Sequence, residues 1–507
     1  MVQRQGRVGT IAPYDLAGIV RGGDGVLQYA ELPRSLVHML RSTVDSAPDA
    51  EALVELGGER LTYGEVWDRA TRVSGGLRQQ GVSAGDRVAI HLPNGIDWAI
   101  AFFGTQLAGA VAVPVNTRFA EREVAYVLDD SGAKFVFEAG EPLPDGEPLV
   151  SDDAQLTDLA AIFYTSGTTG FPKGAMTTHE NFLANCENCR RVIGFGTAEP
   201  IRNLISVPLF HVTGCNSQLL ITTQLGGTSV IMPQFDVGQF LDAIVDERID
   251  VLTSVPAIYW LAMNQPGFAD IDVSGVGVVA YGGAPTPPDL VARIREAFPS
   301  ARLGNGFGLT ETASVATFLP NEFCEARPET VGFAAPVVEL DLLDRDGQGV
   351  GELLVRGQNV VSGYWNMPEA TGDTIVDGWL HTGDLARIDD EGFVQIVDRL
   401  KDMINRGGEN VYSVEVESAL MEHPDVFEVA VVGVPDDVMG EKVGAVVVPK
   451  PGSVLRGDEL VAFAADRLAD FKLPEFVWVR DEPLARNAGG KVLKAPLREH
   501  EDWQRAR

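Results

Sequence analysis

The sequence predicts an α/β protein with a large N-terminal domain of layered, mostly parallel sheets, a small β-rich subdomain and a C-terminal α+β cap domain. Over about the first 340 residues, short apolar segments alternate with amphipathic helical patterns, which is typical of parallel sheets covered by helices. From about residue 340, strand–turn–strand segments with D-G and E-G turns predominate. The last hundred or so residues show an independent mixture of strand and helix patterns.

The N-terminal domain is assigned to residues 1–398. Residues 1–30 contain several glycines and little periodicity, so we expect an extension laid on the body or partly mobile. The apolar segment 98–115 predicts a buried helix followed by a strand. Further strands are predicted at 87–93, 134–139, 228–233, 251–256 and 277–283, and helices at 239–248 and 288–298.

The β-rich subdomain is predicted at about 340–398, within the N-terminal domain. Its strand–turn–strand segments are 338–347, 351–357 and 386–399. Residues 399–402, with the sequence RLKD, are expected to form a hinge. The C-terminal domain, 403–507, has predicted strands at 426–436, 440–450 and 476–481 and a helix at 458–471.

The composition favours a protein that binds neither nucleic acid nor an anionic membrane. The chain has 507 residues, and its 40 basic and 72 acidic side chains give a net charge of −32. A surface this negative repels DNA, RNA and anionic lipid. It also repels nucleotides, so a nucleotide site would need local positive charge.

The four cysteines are interpreted as small buried hydrophobic residues: Cys186, Cys189, Cys215 and Cys324. The first two form a CxxC pair without a second Cys or His pair at zinc-finger spacing. The sequence shows no signal peptide and no transmembrane segment, so we expect a cytoplasmic protein.

A glycine- and hydroxyl-rich segment, YTSGTTGFPKGA at 164–175, indicates a site for a polyanion such as a nucleotide phosphate. Glycines let backbone N–H groups turn toward a ligand, hydroxyls donate hydrogen bonds, and lysine adds a point charge. The segment is not a Walker loop, because Pro172 precedes Lys173 where that loop needs glycine. A mobile surface hairpin is the alternative interpretation.

This segment and four others, in this order and spacing, resemble the adenylate-forming (ANL) enzymes, which comprise acyl- and aryl-CoA synthetases, luciferases and peptide-synthetase adenylation domains. The other four motifs are GFGLTETAS (306–314), GYWNMPEAT (363–371), residues 378–412 and RNAGGKVLKAPLRE (486–499). The resemblance covers about residues 35–500 and implies the ANL fold with a mobile cap. It also implies attack of a carboxylate on ATP, giving acyl-AMP and pyrophosphate, and then displacement of AMP by a thiol.

The resemblance implies a phosphate-binding role for the glycine-rich segment. The residues expected to wrap the β- and γ-phosphates of ATP are Thr165, Ser166, Gly167, Thr168, Thr169, Gly170 and Lys173. In the next motif, Gly306 and Phe307 would lie beside adenine and Thr310 would bond the α-phosphate. Glu311 would ligate Mg²⁺, which takes one or two protein carboxylates plus phosphates; a solvated Glu311 is the alternative.

Four residues of the last two motifs acquire roles from the same resemblance. Asp384 would accept hydrogen bonds from both ribose hydroxyls, and Arg399 would also reach the ribose. Lys401 matches the hinge position about which the cap turns between its two half-reactions. Lys491 would bridge the attacking carboxylate and the α-phosphate. Three residues are expected to be catalytic: Lys491, Glu311 and Thr310. A turn aspartate and a surface lysine are the alternatives for Asp384 and Lys491.

The resemblance further implies a wall between adenine and the acid, built from Tyr281, Gly282, Gly283 and Ala284. His211 resembles a gate near the acid, although a core histidine is the alternative. Gly407 and Gly408 would line the pantetheine tunnel of CoA, since glycine permits close approach to the backbone.

The acid is expected to be a hydrophobic monocarboxylate: fatty, aryl or polycyclic. Residues 203–230 contain no Asp, Glu, Lys or Arg, and burying an unpaired charge is costly. No carrier module follows the last motif within this sequence, so free CoA is the expected thiol. Met439 stands where many relatives have Trp, which leaves open an acyl-AMP ligase that delivers to a separate carrier protein. A non-catalytic binding protein and a luciferase-like oxygenase are further alternatives, and a homodimer stays open.

Overall fold

A computed structural model describes residues 11, 13–165, 172–197, 200–486, 492–498 and 503–506. The chain divides into two compact units. The first comprises Met1–Asp341, Leu354–His381 and Asp389–Val394, and the second comprises Leu342–Leu353, Thr382–Ile388 and Gln395–Arg507. Within the described ranges, no helix combines the length and apolarity needed to cross a membrane.

The α-helices are α1 (Leu36–Ser46), α2 (Tyr63–Gln79), α3 (Ile96–Leu107), α4 (Glu121–Ser131), α5 (His179–Ile193), α6 (Val212–Gly214), α7 (Ile221–Gln224), α8 (Val237–Asp246), α9 (Pro256–Met263), α10 (Pro288–Ala297), α11 (Pro368–Thr374), α12 (Ser413–Met421), α13 (Gly457–Ala465) and α14 (Ala495–Arg498). A π-helix, Cys215–Leu220, joins α6 to α7. Short 3-10 helices cover Phe268–Asp270, Thr310–Thr312, Asn321–Phe323 and Asp470–Lys472.

The β-strands are β1 (Ile19–Arg21), β2 (Leu27–Tyr29), β3 (Glu51–Glu55), β4 (Arg60–Thr62), β5 (Arg87–His91), β6 (Val111–Pro114), β7 (Phe135–Glu138), β8 (Leu159–Thr165), β9 (Lys173–Thr178), β10 (Arg202–Ile205), β11 (Thr228–Ile231), β12 (Val251–Ser254), β13 (Val278–Gly282), β14 (Arg302–Phe307), β15 (Thr317–Leu319), β16 (Phe333–Ala334), β17 (Val338–Leu343), β18 (Gly351–Gly357), β19 (Ile375–Val376), β20 (Trp379–Ile388), β21 (Val394–Arg399), β22 (Ile404–Arg406), β23 (Glu409–Val411), β24 (Val426–Asp436), β25 (Gly440–Pro449), β26 (Phe476–Val479) and β27 (Gln504–Arg505).

The first unit contains the predicted parallel sheets. One has the order β16-β15-β14-β13-β12-β10-β11-β3-β4, and it is parallel from β14 to β3 with antiparallel strands at its ends. Another has the order β7-β5-β6-β8-β9, parallel except for β9. The strands predicted in the N-terminal body are confirmed to within a few residues, because apolar β-branched segments bounded by Gly, Pro and polar residues leave little choice of structure.

The buried helix predicted from the segment 98–115 is confirmed as α3, whose residues are buried except for Asp97 in its first turn, followed by β6. Trp98 and Phe102 stack within it at 5.5 Å between ring centroids. Within the predicted extension, residues 19–29 form the hairpin β1–β2, where the Tyr29 hydroxyl donates a 2.7 Å hydrogen bond to Oδ1 of Asn188.

In the second unit a sheet has the order β23-β22-β25-β26-β27, with β24 paired to β25. Valines alternate between its two faces, and one set packs with α12 and α13 in an apolar cluster. The helix predicted at 458–471 ends at Ala465 and is followed by the 3-10 helix Asp470–Lys472. A further sheet has the order β17-β18-β20-β19, with β21 beside β20, and the chain passes from one unit to the other within β17, β18, β20 and β21.

Candidate active site

The glycine-rich segment connects the antiparallel strands β8 and β9. Thr165 and Lys173 are register partners, and the Thr165 hydroxyl lies 3.4 Å from the Lys173 carbonyl oxygen. The hairpin therefore holds these two predicted phosphate-binding residues at its base. The predicted residues between them lie outside the described residues: Ser166, Gly167, Thr168, Thr169 and Gly170.

A tyrosine of the GYWNMPEAT motif joins Lys173 to Glu311. The Tyr364 hydroxyl donates a 2.6 Å hydrogen bond to Oε1 of Glu311, and Nζ of Lys173 lies 5.1 Å from the centre of the tyrosine ring. Burial and the neighbouring Glu311 carboxylate raise the pKa of Tyr364, so the phenol stays a donor. A cation over an aromatic face is attracted by the ring quadrupole. Tyr364 thus brings a predicted phosphate-binding cation and a predicted metal ligand to one side chain.

The position of Tyr364 follows from backbone pairing with β9. Tyr364 forms a bridge with Ala175, and the Met176 and Trp365 amides donate to Gly363 and Gly174 at 2.9 and 2.7 Å. The GYWNMPEAT motif by itself gives this tyrosine no role. The only signal in the sequence is that Tyr364 follows Gly363 within the motif. That signal does not reveal a hydrogen-bond partner 53 residues away.

Thr310 and Glu311 begin a 3-10 turn directly after β14. Gly308 must be glycine, because a Cβ there would lie 1.4 Å from the Ser314 carbonyl oxygen. The Leu309 amide donates to the Thr312 hydroxyl at 2.9 Å, which closes the turn. Thr310 and Glu311 themselves are half-buried, so both side chains are accessible at the end of the strand.

The predicted adenine-side residues meet at the carboxyl ends of the parallel strands β13 and β14. Gly282 pairs with Gly306, and a Cβ on Gly282 would lie 2.1 Å from the Gly306 carbonyl oxygen. Gly283 has a φ of +75° and is exposed together with Ala284, while Phe307 is half-buried. Ligands of open α/β sheets bind at this edge. The structure therefore brings these five residues together at one edge of the sheet.

The side chain of Tyr281 lies in the core of the first unit. The phenol is 2% exposed and packs in an apolar cluster on the helix-covered face, where burial raises its pKa. Successive strand residues face opposite sides of a sheet, so Tyr281 and Val279 point into this core. A role for Tyr281 at the acid would rest on its backbone, which runs to the exposed carboxyl edge.

His211 precedes the helical segment formed by α6, the π-helix and α7. It is half-buried, its ring centroid lies 4.7 Å from that of Phe210, and its carbonyl accepts from the Cys215 amide at 2.9 Å. A Cβ on Gly214 would lie 2.3 Å from the Pro208 carbonyl oxygen, so glycine lets the chain turn tightly here. The helical segment that follows is charge-free and almost wholly buried.

In the second unit the structure pairs Asp384 with Arg399. Nε of Arg399 lies 3.4 Å from Oδ1 of Asp384, whose side chain is 6% exposed. The Leu400 amide donates to the Gly383 carbonyl at 2.9 Å, which draws the end of β21 against β20. The two residues predicted to share the ribose thus lie side by side.

Lys401 lies in a tight turn between β21 and β22. The Asp402 and Met403 amides donate to the Arg399 carbonyl at 2.9 and 3.0 Å, and the Arg498 guanidinium donates to the Lys401 carbonyl at 2.7 Å. Partial burial lowers the pKa of Lys401, and nearby cations add to the effect. The predicted hinge at 399–402 is thus a compact hydrogen-bonded turn; its role as a hinge stays a prediction.

Gly407 and Gly408 form the turn between β22 and β23. Their φ angles are +63° and +94°, a combination that two-residue hairpins need and that glycine supplies without strain. A Cβ on Gly407 would lie 2.5 Å from Cε of Met439, and the Gly407 amide donates to the Met439 carbonyl at 2.7 Å. Met439, the departure noted in the sequence, therefore packs directly against the predicted CoA-side turn. Lys491 lies outside the described residues.

The residues present fit Mg²⁺. Glu311 offers one carboxylate, oriented through Oε1 by Tyr364, and the described residues contain no group of three or more His, Cys, Asp or Glu that could hold a metal ion. Magnesium keeps several waters and commonly takes one or two carboxylates together with substrate phosphates. This donor set therefore suits an ion that arrives with a nucleotide.

Two family models match this chain. The model of the family described as AMP-binding enzyme matches residues 40–151 and 138–365, and that described as AMP-binding enzyme C-terminal domain matches 415–491. The chain belongs to the AMP-binding enzyme family, and its fold is the ANL fold. Within that family it is an AMP-forming acyl-CoA ligase.

Two curated relatives and one solved structure illustrate the likeness. A feruloyl-CoA synthase of an Amycolatopsis species is 38% identical over 477 residues, covering 89% of this chain and 96% of that protein. A long-chain-fatty-acid–CoA ligase of Mycobacterium tuberculosis is 36% identical over 496 residues, covering 91% and 97%. The o-succinylbenzoate CoA synthetase of Bacillus subtilis, solved with ATP and a magnesium ion, is 29% identical with a TM-score of 0.82, covering 91% and 99%. Acyl-CoA ligases of this family use ATP and Mg²⁺, with CoA as substrate.

Proposed function

We propose that the protein activates a largely apolar monocarboxylic acid in two steps, through an acyl adenylate to an acyl-CoA thioester. The observation that carries the proposal is the cluster of Lys173, Tyr364 and Glu311 beside the turn of Thr310, at the base of a glycine-rich hairpin. It provides a cation, a hydroxyl donor and a carboxylate, which are the groups that phosphate chemistry needs.

In the first step, a carboxylate oxygen of the acid attacks the α-phosphorus of ATP, and the bond from that phosphorus to the pyrophosphate oxygen breaks. Negative charge grows on the α-phosphate oxygens and on pyrophosphate. Lys173 would balance the charge on the β- and γ-phosphates, Thr310 would donate to the α-phosphate, and Lys491 would hold the two reactants together. Glu311 would hold Mg²⁺, which when bound neutralises phosphate charge.

The ribose would be held by Asp384, which Arg399 orients. A carboxylate can accept both vicinal hydroxyls at once through its two oxygens. The 3.4 Å contact to Arg399 would hold this largely buried carboxylate in place. Asp384 would therefore distinguish a ribonucleotide from a deoxyribonucleotide.

In the second step, the sulfur of CoA attacks the acyl carbon, the bond to the AMP oxygen breaks, and the thiol proton passes to solvent. Lys401, as the hinge residue, would permit the change between the two steps. The hairpin turn at Gly407 and Gly408, with Met439 against it, would contact CoA.

The apolar acid follows from the buried helical segment after His211. Residues 203–230 contain no charged side chain, and every residue of the π-helix is buried. A second carboxylate or an ammonium group on the acid would be buried here without a partner, at a cost that apolar contacts cannot offset. The names of the feruloyl and long-chain relatives are consistent with this class of acid.

A panel of acids with ATP and Mg²⁺ tests the proposal. It contains ferulate, dodecanoate, palmitate and cholate, and a matched pair, octanoate and octanedioate, that differs only in the second carboxylate. Pyrophosphate release and mass spectrometry of acyl-AMP and acyl-CoA are followed with and without CoA. We expect acyl-CoA from at least one apolar acid and at least tenfold higher kcat/KM for octanoate than for octanedioate.

Two outcomes would contradict parts of the proposal. Turnover of octanedioate equal to that of octanoate would exclude the apolar pocket. Acyl-AMP that persists when CoA is present would favour the alternative function, an acyl-AMP ligase that supplies a separate carrier protein. The position of Met439 against Gly407 is the observation on which that alternative depends.

A further inference from the structure

The turn that follows Thr310 and Glu311 has a costly backbone conformation. Ala313 has a φ of +51° and Ser314 a φ of +122°, values that residues other than glycine rarely adopt. Residues in such conformations persist only where the surrounding structure holds them, and they cluster at active sites. The contacts that hold this turn therefore also determine where Thr310 and Glu311 lie.

Buried asparagines hold the two ends of the turn. Nδ2 of Asn359 lies 2.8 Å from the Thr312 carbonyl oxygen and 2.9 Å from that of Val315. Oδ1 of Asn185 accepts from the Val315 amide at 2.8 Å. Both asparagines have no solvent exposure, so these hydrogen bonds form away from competing water.

The π-helix Cys215–Leu220 holds the centre of the turn, where φ is positive. Nδ2 of Asn216 donates to the Ala313 carbonyl at 2.7 Å, and the Ser217 hydroxyl donates to the Ser314 hydroxyl at 2.8 Å. The Cys186 thiol lies 3.2 Å from Oδ1 of Asn216 and is a hydrogen-bond donor for that oxygen, so both polar groups of this fully buried amide have partners. Ala313 and Ser314, the two residues with positive φ, are thus both hydrogen-bonded by side chains of the π-helix.

This π-helix begins four residues after His211, in the charge-free segment that the proposed function assigns to the acid. π-helical turns are rare and occur frequently at functional sites. Asn216 therefore links the acid-side segment directly to the turn assigned to ATP and Mg²⁺. Because the Asn216 side chain bonds the Ala313 carbonyl directly, we expect a shift of the π-helix to displace the turn.

We propose that Asn216 is a positioning residue that couples acid binding to ATP binding. With the acid in place the π-helix holds the Thr310–Glu311 turn in its binding geometry, and the affinity for Mg²⁺-ATP rises; by linkage, ATP raises the affinity for the acid by the same factor. This inference rests on the proposed function, because it takes the acid to lie at the segment after His211.

Calorimetric titration with α,β-methylene-ATP and Mg²⁺ tests the coupling, since this analogue binds without reacting. Wild type, Asn216→Ser and Asn203→Ser are titrated with and without the best acid of the panel. Asn203 of β10 is a matched control: it is 1% exposed and its Nδ2 lies 3.2 Å from the Thr222 hydroxyl, but it makes no hydrogen bond to the turn. Thermal unfolding shows whether Asn216→Ser is folded. If it is not, Ser217→Ala replaces it, since this variant removes only the hydroxyl that bonds Ser314.

We expect acid to tighten analogue binding to wild type and to Asn203→Ser by about fivefold or more, within the usual range of coupling. Asn216→Ser should bind the analogue about tenfold more weakly, with an acid effect near onefold. Equal analogue affinities of Asn216→Ser and Asn203→Ser, or a wild type indifferent to acid, would overturn the inference. Failure of wild type to bind the analogue at all would instead refute the proposed function.

Discussion

The hydroxyl of Tyr364 donates a 2.6 Å hydrogen bond to Oε1 of Glu311, and its ring lies under the ammonium group of Lys173 at 5.1 Å. Hydrogen-bond partners that orient a metal-binding carboxylate commonly change metal affinity 10- to 100-fold when removed. The hydroxyl of Tyr364 contacts Glu311 and its ring contacts Lys173, so the two contacts can be tested separately.

Tyr364→Phe should raise the Mg²⁺ concentration needed for half-maximal pyrophosphate release by about tenfold. The ring and its contact with Lys173 remain, so the KM for ATP at saturating Mg²⁺ should change less than threefold or so. Tyr412→Phe is the control, since the Tyr412 hydroxyl donates to Oδ2 of Asp346 at 2.7 Å in the second unit. An unchanged Mg²⁺ titration in Tyr364→Phe would show that the hydroxyl does not orient a metal ligand.

Asp384→Asn should remove the discrimination between ATP and 2′-deoxy-ATP. Wild type should prefer ATP by roughly tenfold or more in kcat/KM, because a hydrogen bond to a charged group contributes about 1.5–3 kcal/mol. The variant should lose affinity for ATP and bring the ratio close to one. Asp398→Asn is the control: Asp398 is also buried, but it bonds the Ser413 amide and hydroxyl, so its loss should lower stability and keep the ratio.

Lys491→Ala and Lys401→Ala should separate the two half-reactions. Lys491→Ala should abolish acyl-AMP formation while sparing thioester formation from supplied acyl-AMP, because its ammonium acts only where carboxylate and α-phosphate meet. Lys401→Ala should impair mainly the second half-reaction. Equal loss of both halves in Lys491→Ala would refute its assigned role.

Gly408→Ala should lower stability through the backbone alone. Nothing crowds a Cβ at this position, but its φ is +94°, and left-handed conformations cost other residues about 1–2 kcal/mol. Gly372→Ala is matched, because its Cβ position is equally open and it lies in helix α11, where alanine is favoured by up to about 1 kcal/mol. The midpoint of urea unfolding should fall for Gly408→Ala but not for Gly372→Ala. If this turn contacts CoA, Gly408→Ala should also slow thioester formation.

His179 should make the protein less stable as the pH falls from about 6.5 to about 4. Burial lowers the pKa of His179 from 6.5 to about 4, and Nδ1 accepts from the Leu36 amide at 3.2 Å, so the folded protein holds the ring neutral. The unfolded chain binds the proton first, so the free energy of unfolding decreases by up to about 1.4 kcal/mol per pH unit in this window. The difference in urea midpoint between wild type and His179→Gln should change across the window; a constant difference would contradict this assignment.

Strand and helix positions in the body were predictable from the sequence because burial on both faces of a parallel strand demands continuous apolar residues. β5, β12 and β13 lie where the apolar segments predict them. The helix at 458–471 was overestimated, since helical pattern alone does not mark where a helix ends. The two compact units also follow a division that no local pattern reveals, because residues 342–353 and 382–388 belong with the C-terminal unit.

The sequence by itself determined the adenylate-forming family, the residue types for a phosphate site, and the absence of charge around the helical segment after His211, because these depend on local composition and on ordered motifs. Only the tertiary structure decided that Tyr364 bonds Glu311, that the phenol of Tyr281 lies in the core, and that Asn216 bonds the Ala313 carbonyl. Each of these is a contact between residues far apart in the chain or a choice of strand face. Hydrogen-bond partners and facing depend on how the elements pack together, and packing is a property of the whole fold.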